Sequence, residues 1–186
     1  MPVPVVLLLH GSRFGQSLKI ARVVGEQLAA RGIAVDLQPL TVATAPDPAK
    51  HGALALVTSV RYGHFDRNAG RLVARHRAWL DAVPTLFVTV SLTARTAAKR
   101  DPAVHVYTRK FLAKTGWAPG HTEVVAGALE YPRYKLWDRL AIRLIMHMTH
   151  GPTDPTTVIE YTDWDQVRRC ADAFADRLTT DRPAHG

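Results

Sequence analysis

The 186-residue chain has a single cysteine, Cys170, so it can form no internal disulfide, and the paired cysteines of a zinc ribbon or an iron–sulfur cluster are missing. A reducing compartment fits. It also lacks any apolar run near the roughly 20 residues of a membrane-spanning helix, and the opening MPVPVVLLLHGSR has no basic leader or cleavage signal. This predicts a protein of the cytosol or of a membrane surface. There is no HExxH, and the nine histidines form no closely spaced set with Asp or Cys, so no metal is implied. The absence of GxGxxG and GxxxxGK[ST] weakens dinucleotide and nucleoside-triphosphate readings. No internal repeat and no RNA- or DNA-binding motif is found, so nucleic acid is not expected as a partner.

What is present is ordinary in amount and uneven in placement. Hydrophobic residues are 47% and charged residues 22%, with 12 Gly and 12 Pro, which describes one folded domain rather than a disordered or fibrous chain. The net charge is +8. Residues 91–120 carry six basic groups and one acidic group, whereas residues 151–186 carry four basic and seven acidic. Such a basic middle is suited to an anionic partner: a membrane leaflet, a nucleic acid or a small polycarboxylate.

Val3 to Leu9 (VPVVLLL) is continuously apolar, as a parallel strand buried on both faces must be. A Gly- and Ser-containing loop follows, then Leu18 to Arg31, with Ile20, Val23, Val24 and Leu28 at helical spacing and Gly32 as its terminator. Further strands are predicted over Ile33–Leu40, Ala53–Val60, Pro84–Val90 and Thr122–Ala128, and helices over Arg67–Leu80, His105–Lys114 and Asp163–Leu178, the last capped by Thr162 or Asp163. This alternation predicts an α/β fold: an open, mostly parallel five-stranded sheet with helices on both faces. One domain spans residues 1–180, with 181–186 as a tail. Between the fifth strand and the last helix, residues 129–162 are too many for a bare loop, so this insertion should carry structure or function of its own.

In open α/β sheets ligands sit beyond the carboxyl ends of the strands. The first such loop, HGSRFGQS, joins a buried strand to a helix N-terminus, where backbone N–H groups, the helix dipole and the hydroxyls of Ser12 and Ser17 can hold a phosphate, with Gly15 allowing the turn. The other loops, Ser59–Asp66, Ser91–Pro102 and Ala128–Arg139, each hold arginine, and two hold tyrosine. Such a rim suits a flat aromatic ligand bearing carboxylates or phosphate. Within the insertion, Leu136 to His150 places Trp137, Leu140, Ala141, Leu144, Ile145 and Met148 on one side, while Arg139, Arg143 and His147 recur every four residues. That is the composition of a helix lying in a membrane interface, or equally of a core-packed helix with a solvated basic edge.

SVRYGHF (Ser59–Phe65), YTRKFL (Tyr107–Leu112), AGALEYPRYKLWDR (Ala126–Arg139), IRLIMHM (Ile142–Met148) and YTDWDQV (Tyr161–Val167) together closely resemble the flavodoxin-like bacterial protoporphyrinogen oxidases, in order along essentially the whole chain. The resemblance implies a flavodoxin-like fold, FMN as cofactor, and oxidation of protoporphyrinogen IX to protoporphyrin IX in heme biosynthesis. It further implies that electrons pass to a membrane quinone, menaquinone or ubiquinone, by an enzyme held peripherally on the cytoplasmic face of an anionic membrane. It assigns the FMN phosphate to Ser12, Arg13, Phe14, Gly15, Gln16 and Ser17, where Gly11 and Phe14 depart from a hydroxyl and an acidic residue in the family's pattern. It places Val60, Arg61, Tyr62 and Gly63, then Ser91, Leu92, Thr93, Ala94 and Arg95, around the isoalloxazine, with Gly127, Ala128, Leu129 and Tyr131 beside it. Arg61, Arg95, Arg133 and Tyr134 are the expected substrate contacts, the arginines anchoring propionates, and Trp137, Arg139 and Arg143 the membrane contacts. No residue is marked as a catalytic base. Two other readings stay open: a flavodoxin-type electron carrier with no substrate of its own, and a small tetrapyrrole chelatase using His10, because LLLHGSR is similar to the opening of that family.

Overall fold

The structure is a computed structural model that describes residues 5–12, 14–133, 135–148 and 150–180. Five parallel strands, β1 (Val5–Gly11), β2 (Val35–Pro39), β3 (His51–Ser59), β4 (Thr85–Ser91) and β5 (His121–Ala126), form one sheet in the order β2-β1-β3-β4-β5. Alternation along the strands sorts the core into two layers, because successive side chains point to opposite faces. Val6 and Leu8 of β1, Ala55 and Val57 of β3 and Val88 of β4 face α1 (Gln16–Ala30) and the last helix (Trp164–Thr180), meeting Ile20, Val24, Val167 and Phe174. Leu7, Leu9, Leu54, Leu56 and Phe87 face the other way, toward α2 (Arg67–Arg75), α3 (Arg77–Ala82) and α4 (Val106–Thr115). The ring of Phe87, fully buried, lies 5.2–5.6 Å from those of Phe65, Phe111 and Trp117, which closes this second layer.

Two elements differ from the sequence expectation. The helix expected over Arg67–Leu80 breaks at His76, whose φ of −120° lies outside the helical well, into α2 and α3. The fifth strand ends at Ala126, and after Gly127 the chain turns away so that β6 (Ala128–Glu130) pairs antiparallel with β7 (Val158–Glu160) in a separate two-stranded sheet. The insertion is therefore structured: β6, a single 3₁₀ turn (Tyr131–Arg133), α5 (Leu136–Met148) and β7. The last helix, α6 (Trp164–Thr180), is capped by Asp163, which accepts from Gln166 N–H at 3.0 Å. Thr162, the other proposed cap, instead donates to Ala126 O at 2.8 Å and so ties the end of the insertion to the end of β5. Among the described residues no helix is long and apolar enough to cross a membrane.

Candidate functional site

Because all five strands run the same way, the loops after β1, β3, β4 and β5 converge at one edge, and there they line the main cleft. Ser12, Phe14, Gln16 and Ser17 come from the first loop, Val60 to Gly63 from the second, Ser91 to Thr93 from the third, and Gly127 and Ala128 from the fourth. The rest of the lining was not singled out in the sequence, although Ser59 and Glu130 lie within the rim loops named there. Ser59 and Val90 are strand ends, Tyr107 comes from α4, Glu130 from β6, and Ile142, Ile145 and Met146 from α5, which roofs the cleft. The signal for α5 was present in the IRLIMHM motif; its direction of packing was not.

The first loop has the features of an anion cradle. Gly15 adopts φ 95°, a left-handed conformation natural to glycine, directly before α1. Its N–H donates to Ser12 Oγ at 2.9 Å, which leaves the Ser12 hydrogen to point elsewhere. No side chain caps α1 and its first turn holds no acidic residue. The Ser17 hydroxyl is buried without a partner, as is Gln16 Oε1, whereas Gln16 Nε2 donates to Thr162 Oγ1 at 2.8 Å. A helix N-terminus with a buried, unused hydroxyl is what a phosphate requires. The departure at Gly11 has a steric reason. A Cβ there would lie 2.7 Å from Thr58 Oγ1, so Thr58 occupies the room that a hydroxyl residue would need. Phe14, the other departure, packs with Leu129, Tyr131 and Met146 beneath the insertion.

The second loop is a tight hairpin: Arg61 N–H donates to His64 O at 2.8 Å and His64 N–H to Arg61 O at 2.9 Å. Tyr62 and Gly63 both take positive φ (48° and 76°), as a type I′ turn demands. Tyrosine is an unusual occupant, and its side chain explains the choice. The Tyr62 hydroxyl and the Arg61 guanidinium both bond Asp138, a buried carboxylate on the first turn of α5. Desolvation, and next the bond to Asp138, raise the Tyr62 phenol above its usual value, so it stays a donor. This three-residue junction fastens the roof to the wall. Arg61 also stands 5.4 Å over the Phe14 ring.

Behind the third loop, Ser91 Oγ and Thr93 Oγ1 are 2.9 Å apart, Thr93 Oγ1 is 3.2 Å from His105 Nε2, and His105 Nδ1 is 2.7 Å from Thr108 Oγ1, which donates to Thr89 at 3.0 Å. His105 also caps α4, accepting from Thr108 N–H at 3.3 Å. Burial, and secondarily Lys99, lower its pKa, so the ring is neutral and offers one donor and one acceptor nitrogen to this chain.

Other expected contacts lie elsewhere. Ala94 is fully buried with Val124 and Ala126, and Leu129 is likewise core. Tyr131, expected beside the flavin, is fully buried, its hydroxyl donating to Pro152 O at 2.8 Å, so its ring presents no face to the cleft. Arg95 donates to Leu92 O at 3.3 Å and lines a second groove with Lys99, Met148 and His150. Arg133, on the rim and 56% exposed, pairs with Glu130 at 2.6 Å. The calls on Arg13 and Tyr134 lie outside the described residues. The apolar side expected of α5 faces outward: Trp137 (79% exposed), Leu140, Leu144 and Met148 are exposed, Ile145 is exposed at the margin of the cleft it lines, and Asp138 and Met146 point inward. Arg139 is half-buried on the inward flank, which corrects its place in an outer basic stripe; Arg143 and His147 remain exposed. His10 sits half-buried in β1, kept neutral by burial and then by Arg22, and no cluster of metal-ligating groups among the described residues includes it.

Residues 7–156 match the flavodoxin domain family. Over 177 residues the chain is 37% identical to the protoporphyrinogen IX dehydrogenase [quinone] of Escherichia coli (strain K12), covering 95% of this chain and 97% of that one. It is 39% identical over 173 residues to the protein of the same name from Leishmania major, covering 92% of this chain and 75% of that one. Among solved structures, a Streptococcus pneumoniae TIGR4 flavodoxin superposes with a TM-score of 0.50 at 14% identity, over 95% of this chain and 98% of its own.

The capping and burial of His105 generate a prediction. Its folded pKa is lowered below the unfolded value near 6.5, so the unfolded chain binds more protons as pH falls through that value, and stability present above about pH 6.5 is lost below it. His105→Gln should flatten that acid limb, leaving His10 among its contributors, and His105→Ala should cost about 0.5–2 kcal/mol through loss of the α4 cap. Urea unfolding of both variants from pH 7 to 5 checks this; an unchanged limb in His105→Gln would be inconsistent with a buried neutral imidazole.

Proposed function

This chain belongs to the flavodoxin-domain family, together with the quinone-dependent protoporphyrinogen IX dehydrogenases, and we propose that it is an oxidoreductase that takes hydrogen from protoporphyrinogen IX and delivers the electrons to a membrane quinone. The observation that carries this reading is the 37% identity over 95% of the chain, which includes the insertion that roofs the cleft. A plain flavodoxin-type carrier needs no roof over its cofactor. The chelatase reading finds no group of three metal-ligating side chains around His10 among the described residues.

The residues present fit FMN. Its phosphate would take the N-terminus of α1, where the Ser17 hydroxyl lacks a partner and Ser12 can turn its hydrogen inward. Its ring system would lie between the Val60–Gly63 hairpin and the Ser91–Thr93 loop, under Ile142 and Met146. Bound there, the isoalloxazine supplies two-electron acceptance at N5. The protein's part is placement. Ser91 and Thr93 present hydroxyls backed by neutral His105; Arg61 and Tyr62, held by Asp138, keep the wall in place; the apolar roof excludes water. Arg133, 56% exposed and paired with Glu130, is the propionate anchor this reading favours, since Arg95 turns to the second groove.

The outward face of α5 supports a membrane-side route to quinone. Four large apolar side chains on this face, Trp137, Leu140, Leu144 and Met148, meet solvent, flanked by Arg143 and His147, and we place this face in the headgroup layer of an anionic membrane. Burying each apolar side chain contributes up to about 1.5–3 kcal/mol, against about 1 kcal/mol for each basic group near the surface. Apolar insertion therefore dominates and salt only modulates it.

Flavin-loaded protein should reduce a quinone in a protoporphyrinogen-dependent way; flavin reduction that needs an added reductase and ignores the porphyrinogen would favour the carrier. Ser12→Ala with Ser17→Ala should weaken FMN binding, each lost charge-assisted bond costing on the order of 1.5–3 kcal/mol, as read by FMN fluorescence titration. In sedimentation with anionic vesicles, Trp137→Ser with Leu144→Ser should release most of the protein at any salt concentration, whereas Arg143→Glu should release it mainly at low salt. Equal pelleting of all three proteins would remove α5 from the membrane.

A further inference from the structure

We propose that His121, Glu123 and Cys170 form a site for a divalent cation of the zinc class, which clips the edge strand β5 to α6 at the end of the sheet remote from the cleft. In β5, His121 and Glu123 stand two residues apart and so share a face with Val125, and Val125 packs in the same core layer as Cys170 of α6. The donor atoms of the three side chains all lie within 4.8 Å of one another. His121 Nε2 and Glu123 Oε2 are 3.3 Å apart, which is about the edge of a tetrahedron with bonds of roughly 2.0 Å, the length of Zn–N and Zn–O bonds.

A second observation points to a missing partner. Gln166 lies one helical turn before Cys170, and its Nε2 donates to Glu123 Oε1 and, at 3.1 Å, to Val124 O. Its Oε1 is buried with no partner. The side chain that bonds Glu123, one of the three candidate ligands, thus carries an unsatisfied acceptor, which a cation or the water on its fourth position would use. The mixture of N, O and S donors selects a borderline-soft ion over magnesium or calcium. Carboxylate and thiolate together balance a dication, so the half-buried site carries no net charge.

Binding forms a metal–sulfur bond as the S–H bond breaks, and the proton leaves to solvent; nothing is oxidised or reduced. Burial and the neighbouring Glu123 otherwise hold the Cys170 thiol protonated, so without a cation it is no nucleophile. The sequence showed no such set because its third ligand arrives from α6, across the domain interior. The site is independent of the cleft and of the flavin reading.

The test uses the full-length flavin-loaded protein, titrated with Zn²⁺ against a chromophoric chelator and separately with Cd²⁺ while the ultraviolet thiolate-to-metal band is recorded. Wild type should take up one tight equivalent, show the thiolate band and gain thermal stability with Zn²⁺. Cys170→Ala and Glu123→Gln should each weaken uptake at least about tenfold and abolish the stabilisation, with flavin content unchanged. Cys170→Ser, close to cysteine in volume, repeats the test should alanine disturb the core. Absence of the thiolate band in wild type, or equal uptake by Cys170→Ala through other histidines, would overturn the site.

Discussion

Parallel strands cannot be joined by a tight turn, and that constraint organises the whole molecule. Each of the four pairings in the main sheet is parallel, so every connection must cross a face of the sheet, and helices there bury both sides. Val6 and Leu8 serve one layer, Leu7 and Leu9 the other, and all four are fully buried. The same constraint brings every strand's carboxyl end to one edge. Ser12, Arg61, Ser91 and Gly127, distant in the chain, become neighbours in one cleft because no strand runs backwards.

The insertion turns this general edge into a particular site. A lone β6–β7 ribbon of three-residue strands would be marginal, and it is held instead by Leu129, Tyr131 and Met146 packing against Phe14 of the first loop. Phe14 therefore does structural work at the position where the family pattern has an acidic side chain. Asp138 holds α5 from the opposite end. A buried carboxylate is costly unless paired, and Arg61 and Tyr62 supply both the charge and the hydrogen bond that make its burial tolerable. That junction also accounts for a tyrosine held at positive φ: the turn geometry aims its hydroxyl at the carboxylate.

With its inner side committed to Met146, Ile142 and Asp138, α5 shows solvent a row of large apolar residues. A helix of a soluble domain normally has the opposite polarity. The roof of the cleft and the apolar surface are two sides of one helix, so cleft and apolar face adjoin without any change in the sheet.

The sequence by itself determined the fold class, the five strands of the main sheet and the edge where the cleft lies. Continuous apolar runs such as VVLLL have no stable place except between two layers, and loops after parallel strands must share an edge. It also located the first loop, because a Gly/Ser turn between a buried strand and a helix is a local pattern. Only tertiary structure decided which residues near that edge face the cleft. Tyr131 and Ala94 lie in the correct segments yet turn inward, while Tyr107 and Met146 enter from elements that periodicity assigned to other tasks. Tertiary structure likewise set the outward direction of α5 and the meeting of Cys170 with His121 and Glu123. The physical reason is common to these cases: an amphipathic segment records that it has two faces, and which face is buried depends on a partner that the segment does not contain.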